Sequence, residues 1–233
     1  MVVHSREFTP PLCEVLGEAQ LRVALRRALR RAHGYGFTYR GPLRLFLEMI
    51  FLYGSDFDTD PQYPWAAMIL RSREDQMTRA ERLFSKVLDY QHKVLGPDGA
   101  NTRQALENLL ALARRPFECS AEHFVTEMMN QMTAVFPQKA AEVGEAGLSA
   151  LIEEGSAVAR KYRFPTVRGE ALVVLLMFGF GHGCAEDPLY PWIAHTLKDD
   201  KITEPAARVD RLEKKAVTWL EHVLAETPKG APA

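Results

Sequence analysis

The chain has 233 residues, of which 47% are hydrophobic and 25% charged, with a formal net charge of −1. That balance excludes a disordered or low-complexity chain, and a near-zero charge argues against a surface built as a whole to hold nucleic acid. A chain of this length buries roughly 70 to 75% of its unfolded surface, enough for a substantial core.

Thr9-Pro10-Pro11 has the form of a helix N-cap followed by proline in the first turn. It predicts a long helix with Leu21, Leu25, Ala28 and Ala32 on one face, stopped by Gly34 and Gly36. Gly41-Pro42 or Thr38 opens a second helix that ends at Gly54, and Asp60-Pro61 opens a third. Thr78-x-x-Glu81 reads as the capping box of a fourth, which Gly96-Pro97 terminates. Residues 98–136 hold two more: one from Asn101 or Thr102 to near Arg115-Pro116, and one after Ser120. The latter carries Phe124, Met128, Met132 and Val135 on a face expected to be core. Helices follow from Pro137 to Tyr162, Val167 to Phe180, Pro188 to Leu197 after the Asp187 cap, and Glu204 to Ala225. No segment shows the period-2 alternation of a strand, so the fold class is all-α, with about ten helices. Residues 228–233, PKGAPA, have nothing to bury and read as a flexible tail.

The chain also contains itself twice. Tyr35 to Leu70 lies without a gap on Tyr162 to Leu197 at an offset of 127, with 12 of 36 positions identical; average composition would give roughly two by chance. The identities include Gly54/Gly181 and the DP-x-YPW residues Asp60/Asp187, Pro61/Pro188, Tyr63/Tyr190, Pro64/Pro191 and Trp65/Trp192. The expected architecture is one domain over residues 1–233. It consists of two tandem-duplicated four-helix units, 10–97 and 137–227, around a non-repeated two-helix segment, 98–136, with a pseudo-twofold relation between the copies. The second proline of DP-x-YPW removes an early intrahelical bond. Each motif is therefore either an irregular turn or a lead-in to a helix starting at Pro64 or Pro191. Trp65 and Trp192 are expected as buried anchors.

Three cysteines, Cys13, Cys119 and Cys184, are odd in number and form no CxxC, which fits a reducing compartment. The first residues have neither a basic stretch nor a long apolar run, and the longest apolar stretch, Ala171 to Phe180, is too short to span a bilayer. The expectation is a soluble cytoplasmic protein with no membrane association. No P-loop, GxSxG, HExxH or dinucleotide fingerprint occurs, and no cofactor is expected.

Chemistry was sought where the copies differ. Asp56, Asp58 and Asp60 alternate like the start of a calcium loop, but the sixth position is Pro61 and the twelfth Ala67, which favours turn-forming carboxylates over a metal site. At the matching place copy two reads GHGCAEDP, so His182 stands opposite Ser55 and Cys184 opposite Phe57. His182 and Cys184 are candidate partner-binding residues. The competing reading is a small hydrolase or other enzyme with an activated Cys184.

Between Ala19 and Leu47 stand seven arginines and no acidic residue. Arg22, Arg26 and Arg30 share a helical stripe with Arg27 and Arg31 beside it, and these five are the other candidate partner-binding residues. An acidic protein partner and internal pairing compete for this face, whereas a nucleic-acid footprint is disfavoured by the chain's overall charge. A specific internal version pairs Arg26 and Arg27 with Glu153 and Glu154, the residues at matching positions of copy two.

The run HGYGFTYRGPLRLFLEMIFLYGSDFDTDPQYPWA resembles a group of mostly helical bacterial proteins encoded beside type VI secretion effector genes, which carry a similar HGF(T)…GxDFDxDPxxPWA pattern. The resemblance covers about 30 residues of copy one and, more loosely, copy two, which departs from it at GHGCAED. It implies an accessory role, as immunity protein or effector adaptor, and brings no active residues with it. Together with the residues above it points to a non-enzymatic protein-binding function.

Overall fold

The computed structural model describes residues 1–115 and 119–226; the expected tail at 228–233 lies outside them. Among the described residues there are eleven α-helices and no strand. They are α1 (Val2–Phe8), α2 (Pro10–Gly34), α3 (Arg40–Tyr53), α4 (Pro64–Leu70), α5 (Gln76–Tyr90), α6 (Ala100–Ala113), α7 (Phe124–Val135), α8 (Pro137–Lys161), α9 (Val167–Phe180), α10 (Pro191–Leu197) and α11 (Pro205–Glu226). A π-helical turn (Gln91–Leu95) and a 3₁₀ turn (Pro97–Gly99) join α5 to α6. The helix beyond the predicted set is α1, which packs on α2 through the Cys13 thiol bonding the Ser5 carbonyl.

Most boundaries fall where the caps predict, with four corrections. α7 begins at Phe124 and not directly after Ser120, whose hydroxyl accepts the His123 N–H at 3.2 Å in a turn ahead of the helix. α5 starts two residues before Thr78, because Asp75 takes the capping role: its carboxylate accepts the Met77 and Thr78 N–H groups at 2.9 and 3.2 Å and the Thr78 hydroxyl at 2.5 Å. α4 and α10 begin at Pro64 and Pro191, the lead-in alternative, rather than at Pro61 and Pro188. The long helices α2 and α8 are each broken once, at Gly17 (φ 70°, ψ 163°) and Gly144 (φ 72°, ψ 167°), in a backbone region that is essentially glycine's alone.

Element bounds recur at the spacing of the sequence repeat: α2 and α8 both have 25 residues, α3 and α9 14, and α4 and α10 seven. The chain packs as two compact units that cut across this repeat. Unit 1 is Met1–Leu88 with Phe180–Ala194, and unit 2 is Asp89–Gly179 with His195–Ala233. The loop after α9 therefore belongs with copy one.

In unit 1 the α2 stripe predicted from Leu21, Leu25, Ala28 and Ala32 is buried, and α2 packs on α3, whose Phe46, Leu47 and Ile50 are fully buried. In unit 2 the corresponding contact is tighter, since a Cβ on Gly155 of α8 would stand 2.6 Å from a Val174 methyl of α9. The α7 face of Phe124, Met128, Met132 and Val135 is core, as its spacing predicts. Lys139, at the start of α8, is itself buried, with its ammonium on the Phe178 carbonyl in the last turn of α9. A cation there meets the negative end of the helix dipole.

Two glycine substitutions separate conformational cost from steric cost. Gly17→Ala, with open space around its Cβ, should lose about 2 kcal/mol in denaturant titrations from φ alone. Gly54→Ala adds a Cβ 2.6 Å from the Phe180 carbonyl and should lose clearly more. Equal losses would contradict the packing described for Gly54.

Candidate functional site

The segments that differ between the copies meet inside unit 1. After α3 and after α9 the chain turns at Gly54 (φ 94°) and Gly181 (φ 93°), and the two glycines lie against each other. A Cβ on Gly181 would stand 2.8 Å from the Tyr53 carbonyl, and one on Gly54 2.6 Å from that of Phe180. The backbone N–H that follows each glycine points into the other loop. Ser55 N–H donates to Asp187 Oδ2 at 2.8 Å, and His182 N–H donates to Asp60 Oδ2 at 2.7 Å. Each carboxylate also closes its own turn, accepting the N–H of Gln62 (2.9 Å) or Leu189 (2.8 Å), and Asp187 takes the Ser55 hydroxyl at 2.6 Å. Burial pushes the Asp187 carboxyl above its ordinary value, against the opposing pull of the Ser55 and Leu189 donors.

Aromatic rings brace both turns in matching ways. Tyr63 packs on Tyr53 at 4.7 Å and Tyr190 on Phe180 at 4.5 Å, each pair tilted by 51°; Trp65 and Trp192 meet the same two rings edge-on at 5.8 and 6.1 Å. The expected buried anchors are therefore corrected: both indoles are half-buried, and Tyr63 is the ring sealed from water.

Two of the alternating aspartates, Asp56 and Asp58, have basic partners. Arg27 donates to both oxygens of Asp56 at 2.8 and 2.7 Å and to the Glu186 carbonyl at 3.0 Å. Arg31 reaches Asp58 at 2.6 Å and Asp56 at 2.8 Å, and the Tyr35 hydroxyl donates to the other Asp58 oxygen at 2.8 Å. Burial, reinforced by Asp58, raises the pKa of Tyr35 and keeps it a donor. The expected pairing of Arg27 with Glu154 is thereby corrected, and Arg27 and Arg31 face inward instead of offering themselves to a partner. Guanidinium groups already occupy Asp56 and Asp58, two of the three carboxylates that resembled a calcium loop, and among the described residues no group of three or more His, Cys, Asp or Glu is placed to hold a metal ion.

The sequence carries a signal for this cage in the residues that change together between the aligned segments. Arg27, Arg31, Asp56 and Asp58 become Glu154, Val158, Gly183 and Ala185 in copy two, so both sides of the pairing vanish together. Gly183 is required sterically, because a Cβ there would fall 2.2 Å from Asp56 Oδ2.

Cys184 is 2% exposed, and burial, with the charges of Asp187 and Asp60, pushes its thiol pKa far up. It is removed from any surface, which corrects its assignment as a binding residue and works against a thiolate nucleophile. His182 stays partly accessible, its ring nitrogen 3.1 Å from the Thr59 hydroxyl.

What remains on the outside of α2 is a ridge. Arg22, Arg26 and Arg30 are exposed beside Ala19, His33 and Val23, the last 48% exposed. Arg22 bonds Glu18 at 2.8 Å, while no acidic side chain among the described residues bridges Arg26 or Arg30. The matching residues of copy two are Ser149, Glu153 and Ala157. The aligned positions of α8 therefore carry no basic stripe.

No protein-family model, no curated protein and no solved structure matches this chain.

Two measurements check the site. Arg31→Met leaves the Asp58 carboxylate buried beside an apolar chain and should cost about 3 kcal/mol of unfolding free energy, whereas Arg30→Met should cost under about 0.5. Burial raises the thiol pKa of Cys13 and Cys184, and burial with Glu127 pushes that of Cys119 up to about 12. All three should resist iodoacetamide in the native protein at neutral pH and react fully in denaturant; rapid native alkylation of Cys184 would reopen the enzyme reading.

Proposed function

We propose that this chain is a non-enzymatic accessory protein that binds an acidic protein through the outer face of α2. The observation that carries the reading is the division of the arginines. Arg27 and Arg31 hold the Asp56–Asp58 turn, while Arg26 and Arg30 stand exposed at positions where copy two has Glu153 and Ala157. An unbalanced basic stripe on a rigid helix attracts and orients an acidic partner, and rim charges of this kind act mainly on association rate and its salt dependence.

The resemblance of the His33–Ala66 region to proteins encoded beside type VI effector genes supports an immunity or adaptor role for a secreted bacterial effector. Three free cysteines and the absence of any described helix long and apolar enough to cross a membrane support action in the cytoplasm. The raised pKa and burial of Cys184 support the non-enzymatic side of the reading. A tandem duplication, with a local twofold at the Gly54–Gly181 crossing, accounts for the reciprocal bonds of Ser55 with Asp187 and of His182 with Asp60.

Purified protein used as bait should retain a stoichiometric acidic partner at low salt and release it as salt rises. The Arg26→Glu/Arg30→Glu variant should lose that partner with helicity unchanged in circular dichroism. A complex indifferent to both changes would discard the reading.

A further inference from the structure

We infer that the α2 ridge receives an acidic α-helix of the partner protein, an inference that rests on the function proposed above. Beyond the break at Gly17, α2 is continuous, and Arg22, Arg26 and Arg30 stand one turn apart, spanning about 12 Å. Residues 19, 23 and 27 form the adjacent i+4 row. In that row Ala19 and Val23 are short and exposed, while Arg27 is drawn inward to Asp56. Between the two rows runs a shallow groove with charge along one edge and apolar surface along the other, which is the relief that accepts the ridge of a second helix.

The inward pairs of Arg27 and Arg31 set the rotation of α2, so the outer guanidinium groups are presented in a fixed order. A helix with carboxylates at i, i+4 and i+8 matches their rise and allows forked contacts with arginine, while its small apolar residues settle on Ala19 and Val23. An extended segment fits less well. Mid-helix N–H and C=O groups of α2 are bonded within the helix, so a strand laid across them would find no main-chain partners. Duplex nucleic acid calls for a wider basic footprint than one stripe of three arginines on a chain of net charge −1.

The test uses the full chain, fluorescence anisotropy in about 50 mM salt, and a labelled helical peptide of about 16 residues bearing glutamates four apart with alanine and leucine beside them. The helical peptide should bind at least about tenfold more tightly than an isomer of identical composition interrupted by proline. Arg26→Glu/Arg30→Glu should abolish binding, and Arg73→Glu, at an exposed arginine elsewhere in unit 1, should leave it intact. Equal affinity for both isomers, no binding of either, or displacement of the peptide by lower concentrations of a DNA duplex would overturn the inference. If the bait still captured a partner in a ridge-dependent way while the two isomers bound alike, the proposed function would stand and the helical shape of the ligand would fall.

Discussion

Unit 1 depends on the crossing of two chain segments at Gly54 and Gly181. The backbones approach so closely that neither position has room for a Cβ, and both turns need a positive φ. Such contact shuts water away from the amides just beyond the glycines, and an unbonded buried N–H is costly. Asp60 and Asp187 answer this need, each accepting an amide from the opposite loop and another from its own turn. Glycine, aspartate and the prolines that shape the following turns thus serve one geometric demand. The aromatic rings of α3, α9 and the DP-x-YPW turns close over it.

A second polar layer lies beside this crossing and belongs to one copy alone. Asp56 projects over Gly183, so the carboxylate of the first loop uses the space left by the missing side chain of the second. Arg27 and Arg31 neutralise it and its neighbour Asp58 from α2. Buried ion pairs of this kind add little net stability compared with apolar packing, but losing one partner is severe, so they enforce one arrangement. Here that arrangement fixes which side of α2 faces the protein. The consequence reaches the surface, because turning two arginines inward leaves three turned out.

Helix boundaries follow the sequence where local chemistry decides them. α9 runs from Val167 to Phe180 as its apolar stretch and flanking turns predict, and Pro137 begins α8. The readings that needed correction each involve competition between nearby groups. Asp75 outcompetes Thr78 as a cap because an ionised carboxylate accepts two amides and a hydroxyl together. Gly17 and Gly144 leave the hydrophobic spacing undisturbed, so the breaks they make are invisible to periodicity. Tyr63 is sealed and Trp65 half-open because the turn before Pro64 carries the tyrosine ring onto Tyr53 and leaves the indole at the margin. The expectation that unmatched residues are free for recognition failed at Arg27, Arg31 and Cys184, where asymmetry between the copies serves packing.

By itself the sequence determined the helical class, the similarity between segments 127 residues apart and the places where the chain must turn. Those follow from spacings of three and four residues and from the fixed torsions of proline and glycine. Tertiary structure decided which charge meets which: the Arg27–Asp56 pair closes over 29 residues, and the bond from Ser55 to Asp187 over 132. It also decided that Cys184 is buried and that Arg26 and Arg30 are not. Coulomb attraction and desolvation depend on distance in space and on the exclusion of water, and neither quantity exists until the two loops have crossed.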